Sequence, residues 1–218
     1  MNLFAGACPE SGFPVLDRLS WGGEEGHEAL RAARDLLASA TVPQELASWL
    51  AAQPERELER IADRSLERTT HFKWFLGAKP GQYTVWLHEY KAPDVFAQAM
   101  DFAASVHNHR YGFCSRVLSG ALHVSDFAIG GDERIRVSRT RTVWEGETML
   151  LTHEDVHRVD RVEPRTCTLI VQGPVARSFS TCYDVATGRR RRIYDLQSRL
   201  PRTIELLTAE PGRPISVG

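Results

Sequence analysis

Two histidines one residue apart, His107 and His109, are the first residues whose type and spacing suggest chemistry. Side chains at positions i and i+2 of a β-strand lie on the same face, so a strand here places both imidazoles side by side. Imidazole nitrogens are good ligands for several first-row transition metals. By itself the pair is a weak indication of a metal site, since such a spacing also arises by chance.

A third histidine strengthens this interpretation. Gly120 follows in a strand, turn, strand pattern, and His157 lies later in a run that alternates polar and apolar residues. This order matches the two motifs of cupin barrels, in which both segments present their ligands inside one barrel. We therefore predict that His107, His109 and His157 bind a metal. His153 is interpreted as a loop residue or a residue that supports a ligand without binding the metal, and His123 as a packed or surface histidine.

The ligand set lacks a carboxylate. Cupins usually carry a glutamate four or five residues after the second histidine, but Cys114 stands in that window. Three neutral histidines leave a divalent metal its full charge and up to three open positions, which suits binding of a substrate and dioxygen. A closed structural site would offer a fourth protein ligand instead. Imidazole ligands alone do not distinguish iron from nickel, manganese or zinc.

The elements that position these residues divide the chain into three parts. Residues 1–68 contain apolar residues at helical spacing, interrupted by Pro43 and Pro54, and are predicted to form a helical arm. Residues 69–198 contain many short β-branched and aromatic runs separated by glycine turns, with a short helical insert over residues 92–104. Residues 199–218 are predicted to be an extended tail. The predicted fold is an all-β core (a cupin double-stranded β-helix, or jelly-roll barrel) with an N-terminal α-helical arm.

The composition of the chain argues against some classes of binding partner. The 218-residue chain has a formal net charge of −1, which gives no basic field for nucleic acid or an anionic membrane. No stretch approaches the ~20 apolar residues that span a bilayer. The four cysteines show no CxxC pairing, which favours a reducing, cytoplasmic location. We expect a small-molecule substrate, no nucleic acid or membrane partner, and a monomer or homodimer.

The sequence resembles the cysteine dioxygenase family of thiol dioxygenases. The resemblance is carried by His107-Asn-His109 with Cys114 seven residues past the first histidine, by Val156-His157-Arg-Val159, and by Glu163-Pro164. It extends upstream to residues 71–76 and covers roughly residues 25–195. The resemblance implies one Fe(II) per chain, O2 as co-substrate, and addition of both oxygen atoms to a substrate sulfur to give a sulfinate.

The resemblance also implies roles for individual residues. The basic residue that holds the substrate carboxylate falls on Lys73, which offers a point charge where the cysteine-specific enzymes have an arginine. The alternative is that Lys73 is an ordinary exposed lysine. We assign His71 to substrate binding with it. Cys114 is either a thiol that lines the pocket or a buried side chain, and Tyr111 is either a replacement hydroxyl or an aromatic at the barrel mouth.

One part of the family pattern is missing. Family members carry serine, histidine and tyrosine alternating along the strand after the third ligand, and the matching positions here are Cys167, Leu169 and Val171. The tyrosine that would crosslink to the cysteine is therefore absent. We predict that Leu169 and Val171 line a more apolar substrate pocket, in which the charged ends of cysteine itself lack partners.

These observations predict a non-haem Fe(II) three-histidine dioxygenase that acts on a small sulfur- or amine-containing substrate. Two alternatives remain open. The first is a three-histidine oxygenase or lyase that acts on carbon in a non-thiol substrate. The second is a non-catalytic cupin that binds a small ligand or holds a structural metal.

Overall fold

The computed structural model describes residues 2–23, 25–99, 105–131 and 134–194. The helices are α1 (Glu25–Leu37), α2 (Val42–Ala51), α3 (Glu55–Asp63) and α4 (Pro93–Gln98). The strands are β1 (Leu66–Glu67), β2 (His71–Lys79), β3 (Tyr83–Tyr90), β4 (Val106–His107), β5 (Tyr111–Ser119), β6 (Ala121–Ile129), β7 (Ile135–Trp144), β8 (Thr148–Leu151), β9 (Val156–Val162), β10 (Cys167–Val175), β11 (Phe179–Tyr183) and β12 (Arg190–Tyr194).

The strands form two antiparallel sheets of six. The order is β1-β2-β3-β10-β5-β8 in the first sheet and β12-β11-β4-β9-β6-β7 in the second. Apolar side chains of both sheets meet in a common core that includes Phe113, Val117, Leu122, Val124 and Met149. Two sheets joined in this way confirm the predicted all-β core of the jelly-roll type with an N-terminal helical arm.

The arm packs on the outer face of the first sheet. Helix α1 buries Ala29, Leu30, Ala33 and Leu37, which share one side of the helix. Leu30 lies over two glycines, Gly112 of β5 and Gly173 of β10: a side-chain carbon at Gly112 would come within 2.7 Å of Leu30 Cδ1. Because neither glycine carries a Cβ, the helix approaches the sheet closely here.

A buried arginine ties the arm to the sheet. Arg116 of β5 is only 6% exposed, and its guanidinium donates hydrogen bonds to the carbonyl oxygens of Leu37, at 2.6 Å, and of Ser39. The last carbonyls of a helix lack partners within the helix, so a cation at this position satisfies them. The arm and the first sheet thus share both apolar and polar contacts.

Most element predictions agree with the structure, with two differences. The first strand begins at Leu66, inside the predicted arm, while the division of the chain at residue 69 stays a prediction. Strand β4 ends at His107, so His109 does not lie on a strand as its spacing predicts. The helical insert is confirmed as α4, but residues 100–104 and the tail over 199–218 lie outside the described residues.

No helix in the described part of the chain is long and apolar enough to cross a membrane.

Gly120 turns the chain from the first sheet into the second, between β5 and β6, with φ +71°. A side-chain carbon there would lie 2.5 Å from Thr166 Oγ1 and 2.8 Å from Thr166 Cα. Gly81 has a similar φ of +73° but nothing within 4 Å. We expect Gly81→Ala to cost about 1–2 kcal/mol of unfolding free energy from backbone strain alone. Gly120→Ala adds overpacking of about 1–3 kcal/mol.

Urea unfolding of the two variants, followed by circular dichroism, measures this difference. Equal destabilisation of both variants would show that Thr166 moves aside without cost, and would contradict the packing argument at Gly120.

Candidate metal centre

Three histidines from two distant segments meet inside the barrel. His107 of β4 is the direct antiparallel partner of His157 of β9. His109 follows two residues after His107, beyond the end of β4. Their ligand nitrogens all lie within 4.8 Å of one another, and together they form a group able to hold a metal ion. The structure therefore brings together the three residues predicted as ligands.

The separations of the nitrogens fit one metal. His109 Nε2 lies 3.2 Å from His107 Nε2 and 3.0 Å from His157 Nε2. Two nitrogen ligands about 2.1 Å from a metal and at a right angle to each other lie about 3.0 Å apart. These two pairs are thus spaced as neighbouring ligands of a single ion.

The protonation of His107 follows from its backbone partner. Its Nδ1 lies 2.8 Å from the carbonyl oxygen of Ser105. A carbonyl oxygen only accepts hydrogen bonds, so Nδ1 carries the proton and Nε2 directs its lone pair at the other two histidines. This arrangement, in which the outer nitrogen donates to a backbone carbonyl, is the usual one for a histidine that binds a metal.

Burial keeps the other two imidazoles neutral. Burial lowers the pKa of His157 well below its ordinary value, and the nearby charges of His107 and Arg141 lower it further. For His109, burial again lowers the pKa most, followed by His107 and His157. Only a neutral imidazole binds a metal, so these groups are ready to bind near neutral pH.

Aromatic side chains hold His109 in place. The ring of Tyr111 stacks on His109 with centroids 5.3 Å apart, and Phe113 meets it edge-on at 5.0 Å. Burial raises the pKa of the Tyr111 hydroxyl. Tyr111 therefore lies where the sequence predicts, beside the candidate metal ligands and in the wall of the cavity described next.

The histidines open into one cavity between the two sheets, with a volume of about 420 Å³. This size is typical of sites for small molecules. One part of its wall is apolar, formed by Phe113, Leu122, Met149, Val159 and Ile170. Among the described residues, the lining contains arginine, lysine and histidine but neither aspartate nor glutamate. The cavity therefore favours a small ligand that carries negative charge.

Lys73 supplies a basic group in this cavity, as predicted. Its Nζ lies 4.0 Å from the centroid of the Trp86 ring, a cation–π contact. Burial lowers the pKa of Lys73 to about 8, and the positive charges of Arg68 and Arg110, which also line the cavity, contribute to this shift. At pH 7 Lys73 is thus mostly charged.

His71, predicted to contact the substrate, also lines the cavity. It stacks on His88 of the neighbouring strand, with ring centroids 4.3 Å apart, and its Nδ1 lies 2.8 Å from Thr70 Oγ1. Burial lowers the pKa of His88 well below its ordinary value, and the charges of His71 and Lys73 contribute. His88 therefore adds a neutral imidazole surface to the wall beside Lys73.

Three predicted site residues lie on the wrong side of the sheet. Cys114, Leu169 and Val171 are each 0% exposed and belong to the core between the first sheet and the arm, not to the cavity. Because side chains alternate along a strand, their neighbours face the cavity instead. This placement corrects the prediction that Leu169 and Val171 bind substrate, and of the two interpretations of Cys114 it agrees with the buried side chain and not with a thiol that lines the pocket. Burial raises the pKa of the Cys114 thiol to about 12, so Cys114 is an inert core residue.

The residues that do face the cavity from β10 are Thr168, Ile170 and Gln172. The sequence gives no clear signal for them, since both faces of β10 are covered and apolar residues occur on each. Trp86 and His88 line the cavity from β3 and were also not predicted as site residues. A signal for them was available: they stand at positions i and i+2 of a strand whose other face is apolar, so they share the face opposite to it.

The remaining histidines agree with their interpretations. His123 lies outside the cavity, with Nε2 2.8 Å from Glu163 Oε1 and Nδ1 3.0 Å from Thr142 Oγ1. His153 lies in the turn between β8 and β9 and is not part of the histidine cluster.

No protein family model matches the chain. No curated protein matches it by sequence either. Similar solved structures include oxalate decarboxylase from Bacillus subtilis, a protein with Mn(II) centres, with 13% identity and a TM-score of 0.39, covering 54% of this chain and 29% of that chain. The chain thus spans less than a third of that protein.

Two other similar structures are of smaller proteins. KdgF from a Halomonas species has 12% identity and a TM-score of 0.37 and covers 50% of this chain and 86% of that one. An RmlC-like cupin from Shewanella frigidimarina has 15% identity and a TM-score of 0.35, covering 52% and 86%. These overlaps are partial, and the strand order of the two sheets remains the basis for the fold.

The titration of Lys73 tests the electrostatics of the cavity. The chain has three lysines, Lys73, Lys79 and Lys91, so ¹³C-dimethylation gives three resolvable side-chain signals in NMR spectra. We expect one signal to titrate near pH 8 and to be lost in Lys73→Arg, because burial and two arginines disfavour the ammonium form. Arg68→Gln removes one of these charges and should raise the midpoint. A Lys73 signal with a midpoint near the ordinary 10.5 would contradict this description.

Proposed function

We propose that the protein is a mononuclear non-haem Fe(II) dioxygenase that oxidises a small sulfur- or amine-containing substrate with O2, in the manner of the thiol dioxygenases. One observation carries the proposal. Three imidazole Nε2 atoms converge, without a carboxylate, on the wall of a cavity large enough for a small molecule. This donor set leaves a bound metal with open positions, unlike a closed structural site, and the resemblance to the thiol dioxygenases favours iron as that metal.

The absence of a carboxylate ligand in the cluster matters for charge. Three neutral ligands cancel none of the charge of a divalent ion, so the ion attracts anionic donors such as a thiolate. A bound Fe(II) supplies the site where substrate and dioxygen meet and the electrons that activate dioxygen. His107, His109 and His157 hold it, and the protein contributes orientation and exclusion of water.

The apolar wall excludes water from the reacting groups. Phe113, Leu122 and Met149 are each less than 9% exposed and line the cavity together with the histidines. In such surroundings electrostatic interactions are stronger than in water. A small substrate therefore displaces most solvent when it binds, which also protects a reactive intermediate from side reactions.

Lys73 is the candidate partner for an acidic group of the substrate. Its ammonium faces the cavity beside Trp86, and Arg68 and Arg110 add positive charge to the same space. A lysine binds a carboxylate as a point charge and so accepts more than one orientation of it. This suits the resemblance, in which the basic residue on the early strand holds the substrate carboxylate.

The thiol dioxygenases supply the closest pattern of residues, but not every part of it is present. Cys114 faces the arm, so no thioether crosslink from it reaches the cavity. The hydroxyl and amide groups that β10 presents are those of Thr168 and Gln172, beside the apolar Ile170. Tyr111 is the tyrosine nearest to His109 in the sequence and stacks on it. These replacements set the substrate preference of this chain apart from that of cysteine itself.

A second candidate is oxidation or cleavage at carbon by the same three-histidine centre. The observation that favours it is the apolar wall of Phe113, Leu122, Met149 and Ile170, which suits a substrate without a zwitterionic end. Both candidates require the same metal ligands, and the identity of the oxidised atom separates them.

Oxygen consumption and product mass test the proposal. Protein reconstituted anaerobically with Fe(II) is mixed with O2 and cysteine, cysteamine, 3-mercaptopropionate or non-thiol amino acids. We expect about one iron per chain, oxygen uptake with at least one thiol, and a product heavier by two oxygen atoms. His157→Ala removes one of three ligands and should abolish both iron retention and oxygen uptake. His153→Ala is the matched control, because His153 lies outside the cluster, and should keep both.

Other results of the iron-binding and oxygen-uptake measurements would support a different function or overturn the ligand assignment. Iron binding without oxygen uptake on any substrate would support a non-catalytic cupin instead. Oxygen incorporation at carbon would support the second candidate. Retention of iron at one per chain in His157→Ala would overturn the assignment of the ligands.

A further inference from the structure

Arg177 contacts both segments that carry the candidate ligands. It lies in the connection between β10 and β11, and its Nε and Nη2 donate hydrogen bonds to the carbonyl oxygen of His109 at 3.2 and 2.8 Å. The same Nη2 donates to the carbonyl oxygen of His153. One guanidinium thus bridges the backbone at the second histidine and the backbone four residues before the third.

The segment around His109 needs such support. Strand β4 ends at His107, so the ladder of sheet hydrogen bonds stops before His109. Asn108 is still held by Thr181, whose N–H donates to Asn108 Oδ1 at 2.8 Å. Beyond it, the N–H groups of Ala176 and Arg177 donate to the carbonyl oxygen of Arg110 at 2.8 and 3.2 Å. Thr181 of β11 therefore holds the chain before His109, and the β10–β11 connection holds it after His109.

The other end of the bridge lies at the start of β9. The turn there is closed by Asp155, whose Oδ2 accepts hydrogen bonds from the N–H and hydroxyl of Thr152 at 2.7 and 2.8 Å. His153 lies inside this turn, and β9 with His157 begins one residue after Asp155. A hydrogen bond to the His153 carbonyl therefore restrains the start of β9, the strand that carries His157.

We propose that Arg177 is a positioning residue that sets the separation of His109 and His157, and with it the affinity and geometry of the metal site. The inference rests on the proposed metal centre. Arginine suits the task because its planar, permanently charged fork donates several hydrogen bonds at fixed angles. A lysine at this position has a single ammonium and cannot reproduce the paired contact with the His109 carbonyl.

A second arginine provides a matched control. The guanidinium of Arg177 lies 5.7 Å from the Phe179 ring centroid, and that of Arg192, on β12, lies 4.5 Å from the same ring. Among the described residues, the side chain of Arg177 donates hydrogen bonds to the ligand segments, and that of Arg192 does not. Removing Arg192 therefore takes a similar side chain from the same ring without touching the bridge.

The test is Co(II) binding by the metal-free full chain, followed by titration and by the visible ligand-field spectrum. We expect Arg177→Ala to weaken Co(II) affinity about 10–100-fold, as is typical for loss of a group that orients metal ligands. Its ligand-field bands should also change in position or intensity. Arg177→Lys should fall between Arg177→Ala and the wild type, and Arg192→Ala should match the wild type.

The results of Co(II) binding distinguish the positioning role of Arg177 from the existence of the metal centre. If the wild type binds no Co(II), the metal centre itself is wrong. If the wild type binds and the Arg177 variants bind equally well with the same spectrum, the positioning role is overturned, even where thermal stability falls. If Arg177→Ala does not fold, Arg177→Lys decides by the same two measurements.

Discussion

The antiparallel pairing of His107 with His157 is the contact on which the candidate site depends. It joins residues fifty positions apart and places their imidazoles on the same face of the second sheet. Because side chains alternate along a strand, a shift of one residue would direct one imidazole out of the barrel. Strand β4 is too short to fix this register alone. The register is held from both sides, by β11 against β4 and by β6 against β9.

The first sheet serves two purposes on its two faces. Its outer face carries the arm, through Leu30 over Gly112 and Gly173 and through the Arg116 guanidinium at the end of α1. Its inner face forms the cavity wall with Lys73 and Trp86. The arm thereby removes the outer face of β5 and β10 from water. The inner face meanwhile carries a lysine of lowered pKa and the stacked pair His71 and His88.

The secondary-structure elements and the metal ligands could be predicted from the sequence better than the side of the sheet on which each strand residue lies. Helical spacing and proline turns predicted the arm, because these signals are local in the sequence. The order of His107, Gly120 and His157 predicted the ligands, because the motif has a fixed spacing. Which residues of β10 face the cavity could not be predicted, since both sides of this strand are covered and apolar residues occur on each. The prediction that Leu169 and Val171 line the cavity is therefore wrong, and both lie in the core beneath the arm, as does Cys114 of β5. Arg177 gave no signal, because its function depends on backbone carbonyls.

Two sets of residues alternate along β10. Leu169 and Val171 lie in the core beneath the arm, where a change of side-chain volume disturbs the packing of many neighbours. Thr168, Ile170 and Gln172 are interleaved with them and line the cavity. Substitutions at Thr168 and Gln172 therefore reshape the cavity directly, whereas substitutions at Leu169 and Val171 act first on the stability of the fold. Substrate preference and folding stability are thus open to separate engineering along one strand.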